Sequence, residues 1–150
     1  MDSGDSDRLR TLVYVSALVA PWTEATIEAI VRESRDRNAR AGVTGVLLHC
    51  DGSIMQCLEG PGAAVGATFQ RIANDARHTN LIVTIDIETS ARTFPTWLMG
   101  HLQVTRSEFL QLESAEWRRV ASQAAAGPAA AEGSPGLALL RHFASTARGR

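Results

Sequence analysis

Residues 10–17 form a mostly apolar, β-rich run, which predicts a strand. Pro21 to Thr23 then opens a helix, with Thr23 as its cap. Ile27, Ile30, Val31 and Ser34 recur at helical spacing and form its inward stripe, while Arg32, Glu33, Arg35 and Asp36 lie mostly outside. Gly42 ends it. Residues 43–49 and 53–59 read as strands joined by Asp51-Gly52, a strong hairpin signal. Pro61-Gly62 starts a second helix, in which Val65, Phe69, Ile72 and Ala73 share a stripe. Residues 81–87 and 98–104 complete the pattern as strands. The order β-α-β-β-α-β matches a ferredoxin-like arrangement, with one strand added. The expected fold class is therefore α+β: a five-stranded mixed sheet with two helices on one face.

Strand side chains alternate between faces. If Tyr14, Leu47 and Gln56 point to the helices, then Val13, Val15, Val46, Leu48, Met55 and Cys57 point the other way. Such a face leaves a large apolar patch in water unless something covers it. Residues 107–125 read as an amphipathic helix, with Phe109, Leu112, Trp117, Val120 and Ala121 as its buried side. Residues 127–136 have linker composition, and residues 137–147 form a short second helix carrying Leu137, Leu140, Phe143 and Ala144. The expected organisation is a flexible N-terminus over 1–8, one domain over 9–104 and a helical extension over 105–150. The extension covers the outer sheet face or meets a partner that shares it.

The formal net charge of −1 and the absence of a dense basic run argue against direct nucleic-acid binding. Arg8, Arg10, Arg118, Arg119, Arg148 and Arg150 are scattered and read as solvated surface. No apolar stretch reaches membrane-spanning length, and the polar, acidic start is no signal peptide. With a two-residue turn, Cys50 faces Ser53 and Cys57 faces Val46. The cysteines are then separated by about 13 Å along the ladder, at about 3.3 Å per residue, beyond disulfide reach. Free thiols suit a reducing cytoplasm. No metal-ligand spacing, phosphate loop, nucleophile elbow or nicotinamide fingerprint is present.

Gln56, within Ile54-Met55-Gln56-Cys57-Leu58-Glu59-Gly60, is the most informative residue. An amide between aliphatic neighbours on a core-facing strand is costly unless it finds partners. It is either a satisfied core amide or a polar contact for a buried ligand. Four further segments accompany it: Tyr14-Val15-Ser16; Asn38 before Gly42-Val43-Thr44-Gly45; Asp75-Ala76-Arg77-His78 at the end of the second helix; and Arg92-Thr93-Phe94-Pro95-Thr96-Trp97-Leu98-Met99-Gly100. In this order and spacing the chain resembles the BLUF family, blue-light sensors that use flavin, over residues 9–104.

The resemblance implies that Tyr14 donates an electron to photoexcited flavin, followed by a proton through Gln56, whose amide then rotates or tautomerises. A core tyrosine bonded to a backbone carbonyl is the alternative. It implies that Asn38, otherwise a helix terminator, holds the flavin pyrimidine edge. Asp75 and Arg77, otherwise a solvated helix end, lie near the ribityl chain and phosphate, with His78 beside the ring. Trp97 and Met99 share one face of the last strand, where core packing is the default. The resemblance makes them, with Ser16 bonded to the indole or the glutamine, the signal relay. Arg92, Phe94 and Pro95 serve strand entry and packing. The implied cofactor is FAD, with FMN open. The implied partners are a second copy of the chain and an unidentified downstream protein. Turnover is not expected. The rival readings are a ferredoxin-like flavin- or ligand-binding module without a photocycle, and a small flavin oxidoreductase. Two positions depart from the family pattern: Ile54 replaces a frequent phenylalanine, and Leu98 a small polar residue.

Overall fold

A computed structural model describes residues 8–117 and 134–146. Along the chain run β1 (Leu9–Leu18), α1 (Glu24–Ala41), β2 (Thr44–Cys50), β3 (Ser53–Pro61), α2 (Gly62–Ala73), β4 (His78–Thr89), β5 (Gly100–Gln103), α3 (Arg106–Glu113) and α4 (Pro135–Thr146). The five strands form one sheet in the order β4-β1-β3-β2-β5. β3 pairs antiparallel with β1 and β2, β4 pairs antiparallel with β1, and β5 lies parallel to β2. The fold is the expected ferredoxin-like α+β arrangement with a fifth strand at the edge.

Local chemistry accounts for the element ends. The Thr23 N–H donates to Thr26 Oγ1 at 3.1 Å at the start of α1. Gly42 closes α1 in the left-handed region at φ 73°, which an L side chain enters only with strain. Asp51 and Gly52 both have positive φ, as a tight hairpin turn requires. That turn places Cys50 opposite Ser53 and Cys57 opposite Val46, and both thiols are free and buried.

Two apolar cores flank the sheet. The inner one gathers Leu12, Tyr14, Leu47, Ile54 and Leu58 against Ile27 and Val31 of α1 and Val65 of α2. The outer one gathers Val13, Val46, Leu48, Met55 and Cys57 against Phe109 and Leu112 of α3 and Leu137, Leu140 and Ala144 of α4. α3 begins in a reciprocal cap, with Glu108 N–H donating to Thr105 Oγ1 and Thr105 N–H to Glu108 Oε1. Trp117 joins α3 to α4: its Nε1–H donates to Leu112 O at 2.9 Å, and its carbonyl accepts from Ser134 Oγ at 2.6 Å.

Several boundaries differ from expectation. α2 ends at Ala73, so Asp75 to Arg77 form a turn and His78 begins β4. β5 is confined to Gly100–Gln103, shorter than the expected 98–104. α3 ends at Glu113 rather than continuing as one helix; Val120 and Ala121 lie outside the described residues, as do residues 1–7 and most of the expected linker. Pro135 and Gly136, expected in the linker, are helical.

Candidate functional site

Tyr14 on β1 and Gln56 on β3 are directly opposed in the antiparallel ladder, and both side chains face the helices. The Tyr14 hydroxyl donates to Gln56 Oε1. The other end of the amide, Nε2, donates to Met99 Sδ at 3.3 Å. Both residues are fully buried. Burial, aided by the negative charge of Asp75, pushes the phenol far above its ordinary range. Tyr14 is therefore a neutral donor in the resting protein. Phe69 and His78 meet its ring edge-on, at centroid distances of 5.7 and 6.3 Å.

A narrow cleft opens over this pair between α1 and α2. Its floor is Tyr14, Gln56 and Leu58, and its walls include Ile30 and Asn38 from α1 and Ile72 from α2. Asn38 is buried, and its Nδ2 donates to Leu98 O at 2.5 Å. Its Oδ1 has no partner among the described residues. His78 is held at both ring nitrogens, by Ser16 Oγ at 3.2 Å and Ile72 O at 2.9 Å. The carbonyl accepts, so Nε2 carries a proton. Ser16 thus bonds to His78, and not to the indole or Gln56 as expected.

Asp75 and Arg77 form an ion pair at the cleft mouth. Arg77 Nη2 donates to Asp75 Oδ2 at 2.6 Å and to Glu33 Oε1 of α1 at 2.9 Å. The Arg77 guanidinium holds the Asp75 carboxyl below the usual carboxylate range, and Asp75 and Glu33 raise the arginine. Arg77 therefore ties the loop after α2 to α1. Arg37 and Arg71 also line the cleft, and neither has an ion-pair partner among the described residues. Sequence reasoning missed both, because an arginine on an exposed helix turn looks the same whether it faces a ligand or water.

Trp97 and Met99 do not share a face. Both precede β5, in a segment without regular structure. Met99 enters the inner core on Gln56, whereas Trp97 packs against the outer one. Trp97 stacks on Phe94 with centroids 5.7 Å apart, and its indole covers Gly100, where a Cβ would lie 2.1 Å from the ring. The segment is pinned by Arg92 to Gly42 O and Thr44 Oγ1, by Gly45 N–H to Trp97 O, and by Arg35 to Met99 O.

The side chains that line the cleft suit the chemistry of a flavin. Ile30, Leu58 and Ile72 offer apolar contact to a flat ring, and the amides of Gln56 and Asn38, the latter with an unused acceptor, suit its polar, imide-bearing edge. Unpaired arginines at the mouth match a phosphate. Among the described residues no group of acidic, histidine and cysteine side chains is placed to hold a metal, and no helix is long and apolar enough to cross a membrane.

The chain is 37% identical over 94 residues to photoactivated adenylate cyclase subunit beta of Euglena gracilis, covering 63% of this chain and 11% of that protein. It is 34% identical over 86 residues to the blue light- and temperature-regulated antirepressor BluF of Escherichia coli (strain K12), covering 57% of this chain and 21% of that one. It thus spans only a small part of the length of these relatives. Among solved structures, the dark state of BlrB, a BLUF protein, superposes with a TM-score of 0.63 at 36% identity, covering 71% of this chain and 80% of that one. The photo-activated state of BlsA superposes with a TM-score of 0.64 at 27% identity, covering 70% and 76%. With a family model for sensors of blue light using FAD matching residues 9–100, the chain belongs to the BLUF family.

Proposed function

We propose that Tyr14 and Gln56 are the photochemical switch of a blue-light receptor that binds FAD in the α1–α2 cleft. The observation that carries this reading is the Tyr14 hydroxyl donating to Gln56 Oε1, in a buried site whose other amide contact is a thioether. The bound flavin supplies light absorption and redox capacity. Tyr14 is held neutral by burial, so it releases its proton only when it also loses an electron, and Gln56 Oε1 stands ready to receive it. Sulfur is a weak acceptor, so the amide gives up little when Nε2 leaves Met99. A Gln56 amide turned to aim Nε2 into the cleft presents a donor to a ring carbonyl. Such a donor favours the excited state and shifts absorption to the red.

Asn38 Oδ1 is assigned to the imide edge, His78 to the flank of the ring, and Arg37 and Arg71 to the phosphate. Asp75 and Arg77 shape the mouth as a pair. Met99, Trp97 and Ser16 carry the state of Gln56 outward. Residues 105–150 act as an extension over the outer sheet face. The chain is assigned no turnover of its own, and acts in the cytoplasm on a downstream protein or through its own oligomer.

One absorption spectrum of purified protein, before and after blue light, tests the reading. A reversible red shift of bound oxidised flavin is expected. Stable bleaching with a reductant would favour an oxidoreductase, and a colourless protein a binding module. Chromatography of the released cofactor distinguishes FAD from FMN.

A further inference from the structure

We infer that Glu59 is a positioning residue, a carboxyl latch that makes the segment 90–99 respond as a unit to Gln56. This rests on reading Gln56 as the light-responsive amide. Glu59 lies three residues after Gln56 on β3, on the opposite sheet face, and is fully buried. Its Oε2 accepts from Thr11 Oγ1 at 2.8 Å, directly across the ladder on β1. Its Oε1 accepts from the Phe94 backbone N–H at 2.9 Å. An aliphatic side chain suits the packing around Cys57 and Phe94 at far lower desolvation cost, so a buried carboxyl needs a reason. The bond to Phe94 supplies one, since it ties an irregular segment to the strand that carries Gln56.

The latch sits at a crossing point. Between Trp97 and Met99 the chain passes from the outer core to the inner one. The inner end is held by Arg35 on Met99 O at 2.9 Å and by Asn38 on Leu98 O at 2.5 Å. The outer end has Phe94, fixed by Glu59 and stacked on Trp97. With Phe94 fixed, a displacement of Met99 has to be expressed at Trp97 and Gly100, and so at β5. With Phe94 released, the irregular segment takes up the displacement itself.

Full-length, flavin-loaded wild type, Glu59→Leu and Glu59→Gln distinguish these outcomes. Glutamine keeps the latch, because its carbonyl accepts from Phe94 N–H while its amide donates to the Thr11 hydroxyl. In darkness, amide exchange at Phe94 should be at least tenfold faster in Glu59→Leu and close to wild type in Glu59→Gln. Both variants should keep the red shift, whose atoms Glu59 does not touch. In light, Glu59→Leu alone should lose the exchange change in β5 and α3, with dark recovery altered several-fold. Wild-type light-induced exchange in Glu59→Leu would overturn the latch. If Glu59→Leu does not fold, the wild type decides: Phe94 N–H must exchange at least tenfold more slowly than its neighbours Thr93 and Thr96, and equal rates would overturn the latch. A wild type without any red shift would instead remove the photochemical reading, leaving the dark exchange comparison to judge the latch.

Discussion

Met99 and Trp97, with only Leu98 between them, pack on opposite faces of the sheet, Met99 against Gln56 and Trp97 over Gly100. This divides the Gln56 environment from the outer core by a single peptide segment. Met99→Ala removes the acceptor of Gln56 Nε2, so it should change the dark-recovery rate several-fold while keeping the red shift. Trp97→Ala should leave the spectrum and recovery near wild type but abolish the light-induced exchange change in β5 and α3. If both variants keep the wild-type exchange pattern, the signal leaves elsewhere, through the Asp51-Gly52 hairpin or the loop after α2.

Tyr14→Phe deletes one hydroxyl and little packing. Flavin should remain bound and the red shift should vanish in steady-state difference spectra. A normal shift in this variant would remove Tyr14 from the donor role.

Tyr14 is the sole tyrosine of the chain, so phenolate absorbance reports it alone. The folded state keeps a proton that the unfolded chain releases above about pH 10, so stability should fall as pH rises past that value. Phenolate should appear only together with unfolding in an alkaline titration. Ionisation with far-ultraviolet dichroism intact would contradict a sealed phenol.

Gln56→Leu suits an apolar strand and should preserve the fold. The light-induced downshift of the flavin C4 carbonyl stretch should be absent from infrared difference spectra. An unchanged downshift would place the switch in another group.

Arg37→Ala and Arg71→Ala should each weaken FMN or FAD binding about tenfold, the loss of one charge-assisted phosphate contact of about 1.4 kcal/mol. Riboflavin, which has no phosphate, should bind all forms alike in fluorescence titrations. Equal losses for riboflavin would mean that these arginines support the cleft and not the phosphate.

Deleting residues 107–150 uncovers Val46, Leu48 and Met55 on the outer face. Burial of Phe109, Leu112, Trp117, Leu137 and Leu140 is worth on the order of 10 kcal/mol before entropy, at about 1.5–3 kcal/mol each. The truncated protein should aggregate or change oligomeric state in light scattering. A soluble product of unaltered assembly would show that the extension does not shield this face.

Much of the architecture was legible in the chain itself, because it rests on local periodicity. The period of two places Tyr14 and Gln56 on one face and Met55 and Cys57 on the other. Asp51-Gly52 admits the positive φ angles of a tight turn, and the turn sets the hairpin register, including the separation of the two thiols. The apolar outer strand positions required a cover; Phe109 and Leu112 of α3 and Leu137, Leu140 and Ala144 of α4 supply it at the helical spacing read from the chain, while Trp117 supplies it from beyond the end of α3. Side-chain partnerships between distant segments were not legible. Strand alternation sends Trp97 and Met99 to one side, but both lie before β5, where that alternation does not apply. Ser16 is bound by His78 because α2 stops at Ala73 and β4 begins earlier than its apolar run. Arg77 is held by Glu33 and Asp75, and Glu59 by Thr11 and Phe94, through contacts that exist only once helices, strands and loop are packed. Sequence periodicity reports which face a residue occupies; which polar atom it meets there depends on the placement of segments tens of residues away, and the tertiary structure alone decides that.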